Sequence, residues 1–274
     1  MEERKEIVST ESYPTISVVI PAKNEAGNLC HVLPYIPEQV SEVLLVDGHS
    51  TDATIAEARR LLPTIRVIEQ RGYGKGDALR AGFAASRGEI IVMLDADGSA
   101  DPTEIPRFVE ALRQGYDFAK GSRYLKGGGS ADITLVRNWG NSCLKGLVNV
   151  LFGTEFSDLC YGYNAFWRYC LEEVVVDCDG FEVETLLNLR IHMANLKIIE
   201  VASFEYLRIQ GQSNLRTFRD GWRVLQTIVR ERLAGSSRRS WKVSYQGVAL
   251  SPGMSYRSAP NGIPLDGGRS RVGV

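Results

Sequence analysis

An α/β fold built on a mainly parallel sheet is what this chain predicts, and three observations predict it. Apolar, β-branched runs recur through the first half of the sequence. Segments with helical signals fill the intervals between them. Short polar segments stand directly after the runs, where ligands of parallel sheets bind. Alternating strand and helix argues for βαβ units. At 274 residues the chain can bury a substantial core.

The elements follow in order. Strands are expected at Ile16–Ile20, Val43–Val46, Ile65–Ile68 and Ile90–Leu94, with a weaker one at Phe118-Ala119. Between them, helices are expected over Asn28–Ile36, over Thr51–Leu62 before Pro63, and over Lys75–Ser86 near Gly88. A fourth helix spans Thr103–Arg113, with Asp101-Pro102 as its start signal and Gly115 beyond its end. After Gly121 the pattern changes. Lys126–Ser130 reads as a flexible glycine loop, Arg137–Phe152 as an amphipathic helix, and Tyr161–Trp167 as a glycine and aromatic segment. A helix over Glu182–Met193, a strand over Lys197–Val201 and a helix over Thr217–Leu233 complete the pattern. From Gly235 onward the chain is rich in Gly, Ser, Pro and Arg, has no period, and reads as a disordered tail.

Chemistry concentrates at the expected strand ends. Asp95-Ala96-Asp97 follows the apolar run Ile90–Leu94. In an extended chain, residues two apart point the same way. Two carboxylates so placed repel each other and suit a divalent cation, since Mg²⁺ takes one or two carboxylates plus substrate phosphates. Asp-Gly is also a common turn. Asp47 ends the second strand, where a carboxylate can accept hydrogen bonds from a nucleobase or ribose, and Ser50 or Thr51 behind it could cap the next helix. Gly72–Gly76 places glycines and Lys75 at a helix start, where free N–H groups attract anions; a plain loop is the alternative. Arg123 and Arg137 flank the flexible loop and could fork a phosphate or form surface ion pairs. Arg208, with Ser213 and Asn214 after it, stands beside a glycine turn within reach of a phosphate. Asp158, Glu182 and Glu184 are candidate acids or bases, the last two also suiting a helix start.

Composition narrows the classes. Hydrophobic content of 44% and charged content of 24% are ordinary for a globular protein. A net charge of −1 gives no global electrostatic case for nucleic acid or membrane. Five scattered cysteines argue for a reducing compartment rather than a disulfide framework. The charged residues 1–10 do not read as a signal peptide, and no apolar run is long enough for a transmembrane helix. A cytoplasmic protein is expected, with peripheral contact at the inner face of the cell membrane left open.

Taken together, the segments resemble the family 2 glycosyltransferases of GT-A (Rossmann-like) fold, and within them the polyprenyl- and dolichyl-phosphate sugar transferases. The resemblance runs from about Ile16 to Leu233. It is carried by Val18–Glu25, Val46–Asp52, Lys75-Gly76, Asp95-Ala96-Asp97, Gly121–Tyr124, Arg137-Asn138, Asp158 with Gly162, Phe181–Glu184 and Arg208–Leu215. Two departures stand out. Gly48 replaces the second Asp of the commoner Asp-Asp-Gly-Ser motif, and Ser213-Asn214-Leu215 replaces Ser-Lys-Leu.

The resemblance implies one domain: an extension over residues 1–14, a nucleotide-sugar half over 15–121, an acceptor half over 122–234 and a tail over 235–274. It implies that Pro21, Asn24, Glu25 and Asp47 line the nucleotide pocket. Asp95 and Asp97 would hold Mg²⁺ or Mn²⁺ against the donor diphosphate. Arg123, Arg137 and Arg208 would face phosphates, and Asp158 would sit on the acceptor side of the anomeric carbon. The implied activity is inverting transfer of a hexose from UDP-glucose or GDP-mannose to a polyprenyl phosphate, at the membrane or with a membrane protein partner. A phosphate acceptor is already anionic and needs no base, so Asp158 would orient it; a hydroxyl acceptor would need Asp158 or Glu182 as base. Transfer to a polysaccharide or small hydroxyl compound, and nucleotide-sugar binding without catalysis, stay open as alternatives. The helix over Arg137–Phe152 could lie in a membrane interface or pack into the core.

Overall fold

The computed structural model describes residues 13–211 and 215–235. Of the tail expected from Gly235, only Gly235 itself is described; the rest of it, the first twelve residues, Ser213 and Asn214 lie outside the described residues. The strands are β1 (Ile16–Ala22), β2 (Glu42–Asp47), β3 (Arg66–Glu69), β4 (Ile90–Met93), β5 (Phe118–Ser122), β6 (Gly129–Ser130), β7 (Asn164–Trp167), β8 (Ile198–Ala202) and β9 (Phe204–Glu205). Seven form one sheet in the order β3-β2-β1-β4-β7-β5-β8. The β1–β2, β2–β3, β1–β4 and β5–β8 pairs are parallel, while β7 runs antiparallel between β4 and β5. The strand β7 arises from a stretch the sequence presents as a glycine and aromatic segment. Its residues Ala165 and Phe166 are buried on opposite faces of the sheet.

The helices are α1 (Thr54–Leu61), α2 (Lys75–Ala85), α3 (Ile105–Arg113), α4 (Leu135–Phe152), α5 (Cys170–Glu173), α6 (Val183–Met193) and α7 (Thr217–Ala234). On one sheet face, Leu29, Ala58, Ile105, Phe108 and Leu112 cover Val18, Ile20, Val43 and Leu45. On the other, Leu79 and Phe83 of α2 and Leu186 and Ile191 of α6 cover Val19, Leu44, Val46 and Ile91. Burial on both faces explains why these strands read as continuous apolar runs. A third cluster joins α4, α6 and α7 through Val148, Leu189, Val224 and Ile228.

Three local expectations change. Asn28–Ile36 forms two 3-10 turns, Leu29–His31 and Leu33–Tyr35, instead of a helix; Pro34 lacks the N–H that a continuous helix needs there. The helix expected from Thr51 begins at Thr54, and Asp52, rather than Ser50 or Thr51, accepts the Thr54 N–H at 3.0 Å. The expected flexible loop over 126–130 ends in β6, which pairs in parallel with β9.

Helix α4 starts at Leu135, two residues earlier than expected, because Thr134 accepts the Arg137 N–H. Only Asn141 and Val148 on it are fully buried, so it is not a core helix along its length. Leu135, Val136, Trp139 and Val150 are exposed on α4, and Phe218, Trp222, Val229 and Leu233 on α7. Among the described residues no helix is long and apolar enough to cross a membrane.

Candidate active site

A cavity of about 430 Å³ opens at the carboxyl ends of β1, β2 and β4, within the size range of small-molecule sites. Pro21 at the end of β1 and Glu25 beyond it, Gly48 beyond β2, Tyr73–Lys75 beyond β3 and Asp95 and Asp97 beyond β4 all line it. Four connections thus bring their polar residues to one place.

Four carboxylates share two cations there. Lys75 Nζ lies 2.7 Å from Asp95 Oδ1 and 2.8 Å from Glu184 Oε1. Arg208 reaches Glu25 Oε1 at 3.0 Å and Asp97 Oδ2 at 3.1 Å. With all four carboxylates ionised, the cluster has a surplus of two negative charges. Burial pushes the Glu184 carboxyl above its ordinary range against the pull of Lys75. It pushes Glu25 up as well, against Asn28 and Arg208. Asp95 and Glu184 together hold the Lys75 ammonium charged despite its burial.

Local sequence explains this geometry. Asp97 is braced by Ser99, whose N–H and hydroxyl donate to Oδ1 at 3.0 and 2.7 Å. The glycines around Lys75 act differently from an anion cradle. A Cβ at Gly74, whose φ is +94°, would collide with the Asp179 carbonyl, and one at Gly76 with that of Cys178. They let α2 approach the segment before α6 closely enough for Lys75 to meet Glu184. Gly162 closes the cluster from above: a Cβ there would lie 2.8 Å from Lys75 Nζ, 3.1 Å from Asp95 Oδ2 and 3.2 Å from Glu184 Oε1.

Glu184, not Glu182, faces the cavity. Glu182 precedes α6 and accepts the Gly180 N–H at 3.2 Å, its Oε2 buried without a hydrogen-bond partner. Residues two apart on a helix are turned by about 200°, so the two glutamates cannot share a face. That geometry is readable from sequence, but which of the two faces inward depends on where α6 packs.

Asp158 and Arg123 form a closed pair. Arg123 Nε and Nη2 donate to the two Asp158 oxygens at 2.7 and 2.9 Å, and Nη1 reaches Glu205 at 3.0 Å. Asn141 adds a bond to Asp158 Oδ1 at 3.1 Å. The Asp158 side chain is 0% exposed. Burial opposes its charge, but Arg123 overcomes this and holds the carboxyl below its ordinary range. Arg123 is correspondingly committed to Asp158 and Glu205 rather than free for a phosphate. Arg137 also lines the cavity, 3.5 Å from Asp132.

Two residues expected in the nucleotide pocket do not line the cavity. Asn24, at φ 57°, accepts the Thr51 N–H at 2.8 Å and ties the β1 and β2 loops together. Asp47 is buried; its Oδ2 accepts the Ser50 N–H at 3.1 Å while Oδ1 has no hydrogen-bond partner among the described residues. Ser99, Asn141 and Gln70 line the cavity although nothing in the sequence singles them out.

Toward α4 and α7 the same cavity is lined by the apolar side chains of Ile133, Val136, Leu144, Leu215 and Val224, interspersed with Asp132, Arg137, Asn141 and Asp220.

Residues 17–175 match the model of glycosyl transferase family 2. The chain belongs to this family. It is an enzyme of the glycosyltransferase class with a GT-A fold. It is 29% identical over 216 residues to the dolichol-phosphate mannosyltransferase of Pyrococcus furiosus, covering 73% of this chain and 59% of that one. It is 33% identical over 203 residues to the polyprenol monophosphomannose synthase of Mycolicibacterium smegmatis, covering 67% and 74%. The chain thus spans less than two thirds of the Pyrococcus relative's own length. Among solved structures it resembles glucosyl-3-phosphoglycerate synthase from Mycobacterium tuberculosis in complex with Mn²⁺, UDP-glucose and phosphoglyceric acid. That likeness has 26% identity, a TM-score of 0.64 and coverage of 80% of each chain.

Proposed function

We propose that this glycosyltransferase moves a hexose from a nucleoside-diphosphate sugar to a polyprenyl phosphate, with inversion, at the inner face of the cell membrane. One observation carries the acceptor: a single cavity combines the charged sheet edge with a set of apolar side chains, Ile133, Val136, Leu144, Leu215 and Val224, toward α4 and α7, and the same two helices expose Trp139 and Phe218. A lipid phosphate needs both environments. The named relatives that act on dolichol phosphate and polyprenol support the reading.

Asp95 and Asp97 would hold Mg²⁺ or Mn²⁺. The donor set fits, since two carboxylates in a cluster whose four carboxyl groups face only two cations match a divalent ion completed by substrate phosphates. When bound, the ion supplies Lewis-acid stabilisation of the leaving diphosphate. Lys75 and Arg208 add fixed positive charge beside it. The acceptor phosphate oxygen attacks the anomeric carbon. The bond to the diphosphate breaks, and the nucleoside diphosphate leaves with the electron pair. Arg137 would orient the attacking phosphate. No proton has to be removed, and Asp158 serves through Arg123 as the wall of the acceptor site.

The phosphoglycerate-bound neighbour favours a second reading, in which the acceptor is a small hydroxyl compound. That reaction needs a base. Asp158 is a poor one, held ionised and hydrogen-bonded below its ordinary range, whereas Glu184 is in the cavity with a raised pKa. Radiolabelled UDP-glucose and GDP-mannose, each with Mn²⁺, separate the readings. A sugar extracted into organic solvent with polyprenyl phosphate supports the first. A water-soluble product with 3-phosphoglycerate replaces it by the second, and no transfer to either acceptor overturns both.

A further inference from the structure

We infer that Arg208 is the resting counter-ion of Asp97, displaced from it when the divalent cation enters, and that Glu25 is the positioning residue that keeps Arg208 at the cleft mouth through this exchange. The inference rests on the metal reading above.

Both oxygens of Asp97 are engaged. Ser99 holds Oδ1 through its N–H and hydroxyl, and Arg208 Nη2 holds Oδ2 at 3.1 Å. A divalent cation on Oδ2 would stand within a few ångströms of a guanidinium in a partly buried cleft, where like charges repel strongly. The contact therefore has to break. Arg208 has a carboxylate in reserve: Nη1 lies 3.0 and 3.2 Å from the two oxygens of Glu25. Glu25 is buried and bonded to Asn28, so it stays in place when Asp97 changes partner. Lys75 has the same arrangement with Asp95 and Glu184, but it is the first residue of α2 and enclosed.

Arg208 instead rides on a non-helical strap. Tyr206 N–H bonds to Ser99 O at 2.7 Å and Ile209 N–H to Asp97 O at 3.5 Å. Gln210 exchanges two bonds with the Asn28 side chain at 2.9 and 3.1 Å. The strap is thus fastened on one side to the Asp97 turn and on the other to the turn holding Glu25. Loss of the Asp97 contact leaves the Glu25 side intact, with the guanidinium free to meet the incoming diphosphate. Glu25 accordingly acts through Arg208 rather than on the nucleotide.

Mn²⁺ titration of the full chain without nucleotide, read by the electron paramagnetic resonance of the free ion, tests this directly. Arg208→Met should bind Mn²⁺ about tenfold more tightly than wild type, while its affinity for the nucleoside diphosphate in the presence of Mn²⁺ falls. Glu25→Gln should do the reverse to the ion, weakening nucleotide-free Mn²⁺ binding severalfold, because Arg208 is left with Asp97 alone. Arg208→Gln serves in place of Arg208→Met if the latter does not melt cooperatively. Unchanged or weaker Mn²⁺ binding in the Arg208 variant overturns the exchange alone. Absence of Mn²⁺ binding to wild type even with UDP and GDP present overturns the metal reading beneath it.

Discussion

The two ends of the cleft hold ion pairs of the same chemistry put to opposite use. At the sheet edge, Lys75 and Arg208 each divide themselves between two carboxylates, and Glu184 and Glu25 are pushed toward neutrality by burial. At the helical end, Arg123 grips Asp158 in a two-pronged pair that holds the carboxyl ionised. A shared cation can change partner at modest cost. A bidentate, enclosed pair cannot, because opening it leaves a buried charge alone. The first arrangement suits a site that takes up a charged donor; the second suits a wall.

The largest expected effect falls on the wall. Asp158→Ala leaves Arg123 with Glu205 only and should cost about 3–5 kcal/mol in urea unfolding. Asp158→Asn, which keeps a hydrogen-bonding side chain of the same size, should cost less. A catalytic base at Asp158 makes the opposite prediction: Asp158→Ala would melt like wild type with turnover gone.

Next comes the donor end. Asp97→Ala should lower turnover by about 10²–10³ while leaving the melting temperature near that of wild type, since its partners Arg208 and Ser99 retain Glu25 and solvent. Near-normal turnover at saturating Mn²⁺ would sink the metal assignment.

These two ends also differ in how far the sequence disclosed them. The sheet edge was legible because parallel strands put their loops together by topology: once β1, β2 and β4 are assigned, Pro21, Gly48, Asp95 and Asp97 must converge. Lys75 followed from its place at the start of α2. Glu184 did not follow, because its orientation depends on how α6 packs against α2 through Gly74 and Gly76. Nor did the Arg123–Asp158 pair, whose members are separated by all of α4. The antiparallel strand β7 was hidden because Asn164-Ala165-Phe166-Trp167 is short and follows directly on Tyr161-Gly162-Tyr163. On α4, both an interfacial and a core-packed helix fitted the sequence; exposure of Trp139 alongside burial of Val148 shows that only some of its apolar residues pack into the core.

A pH series sharpens the contrast through its sign. Asp158 has a lowered folded-state pKa, so its contribution is fully present above its unfolded value of about 3.9 and is lost as the pH falls through the lower folded value. Glu184 has a raised pKa, so the folded state disfavours its ionised form. Its contribution is greatest below about 4.3 and declines as the pH rises through the raised value. In urea unfolding from acid to neutral pH, the stability gap between wild type and Asp158→Asn should widen as the pH rises. The gap to Glu184→Gln should shift in favour of the variant. Parallel trends would mean that the two ends share one electrostatic character after all.

The smallest effect belongs to the exposed apolar face. Trp139 is 72% and Phe218 86% exposed, so replacing either by Ser removes little packing and should leave the melting temperature nearly unchanged. If these side chains dip into a membrane, each substitution removes part of the roughly 1.5–3 kcal/mol that full burial of a large apolar side chain gives. Partition onto lipid vesicles should then fall about three- to tenfold per site, and the double variant should lose close to the product, because the two residues sit on different helices. Turnover with a short, water-soluble polyprenyl phosphate should be retained, since neither side chain lines the cavity. A protein partner covering this face would leave vesicle partition unaffected by both substitutions. The combination of lost partition and retained turnover therefore assigns the face to lipid, and separates the surface that finds the acceptor from the cleft that transforms it.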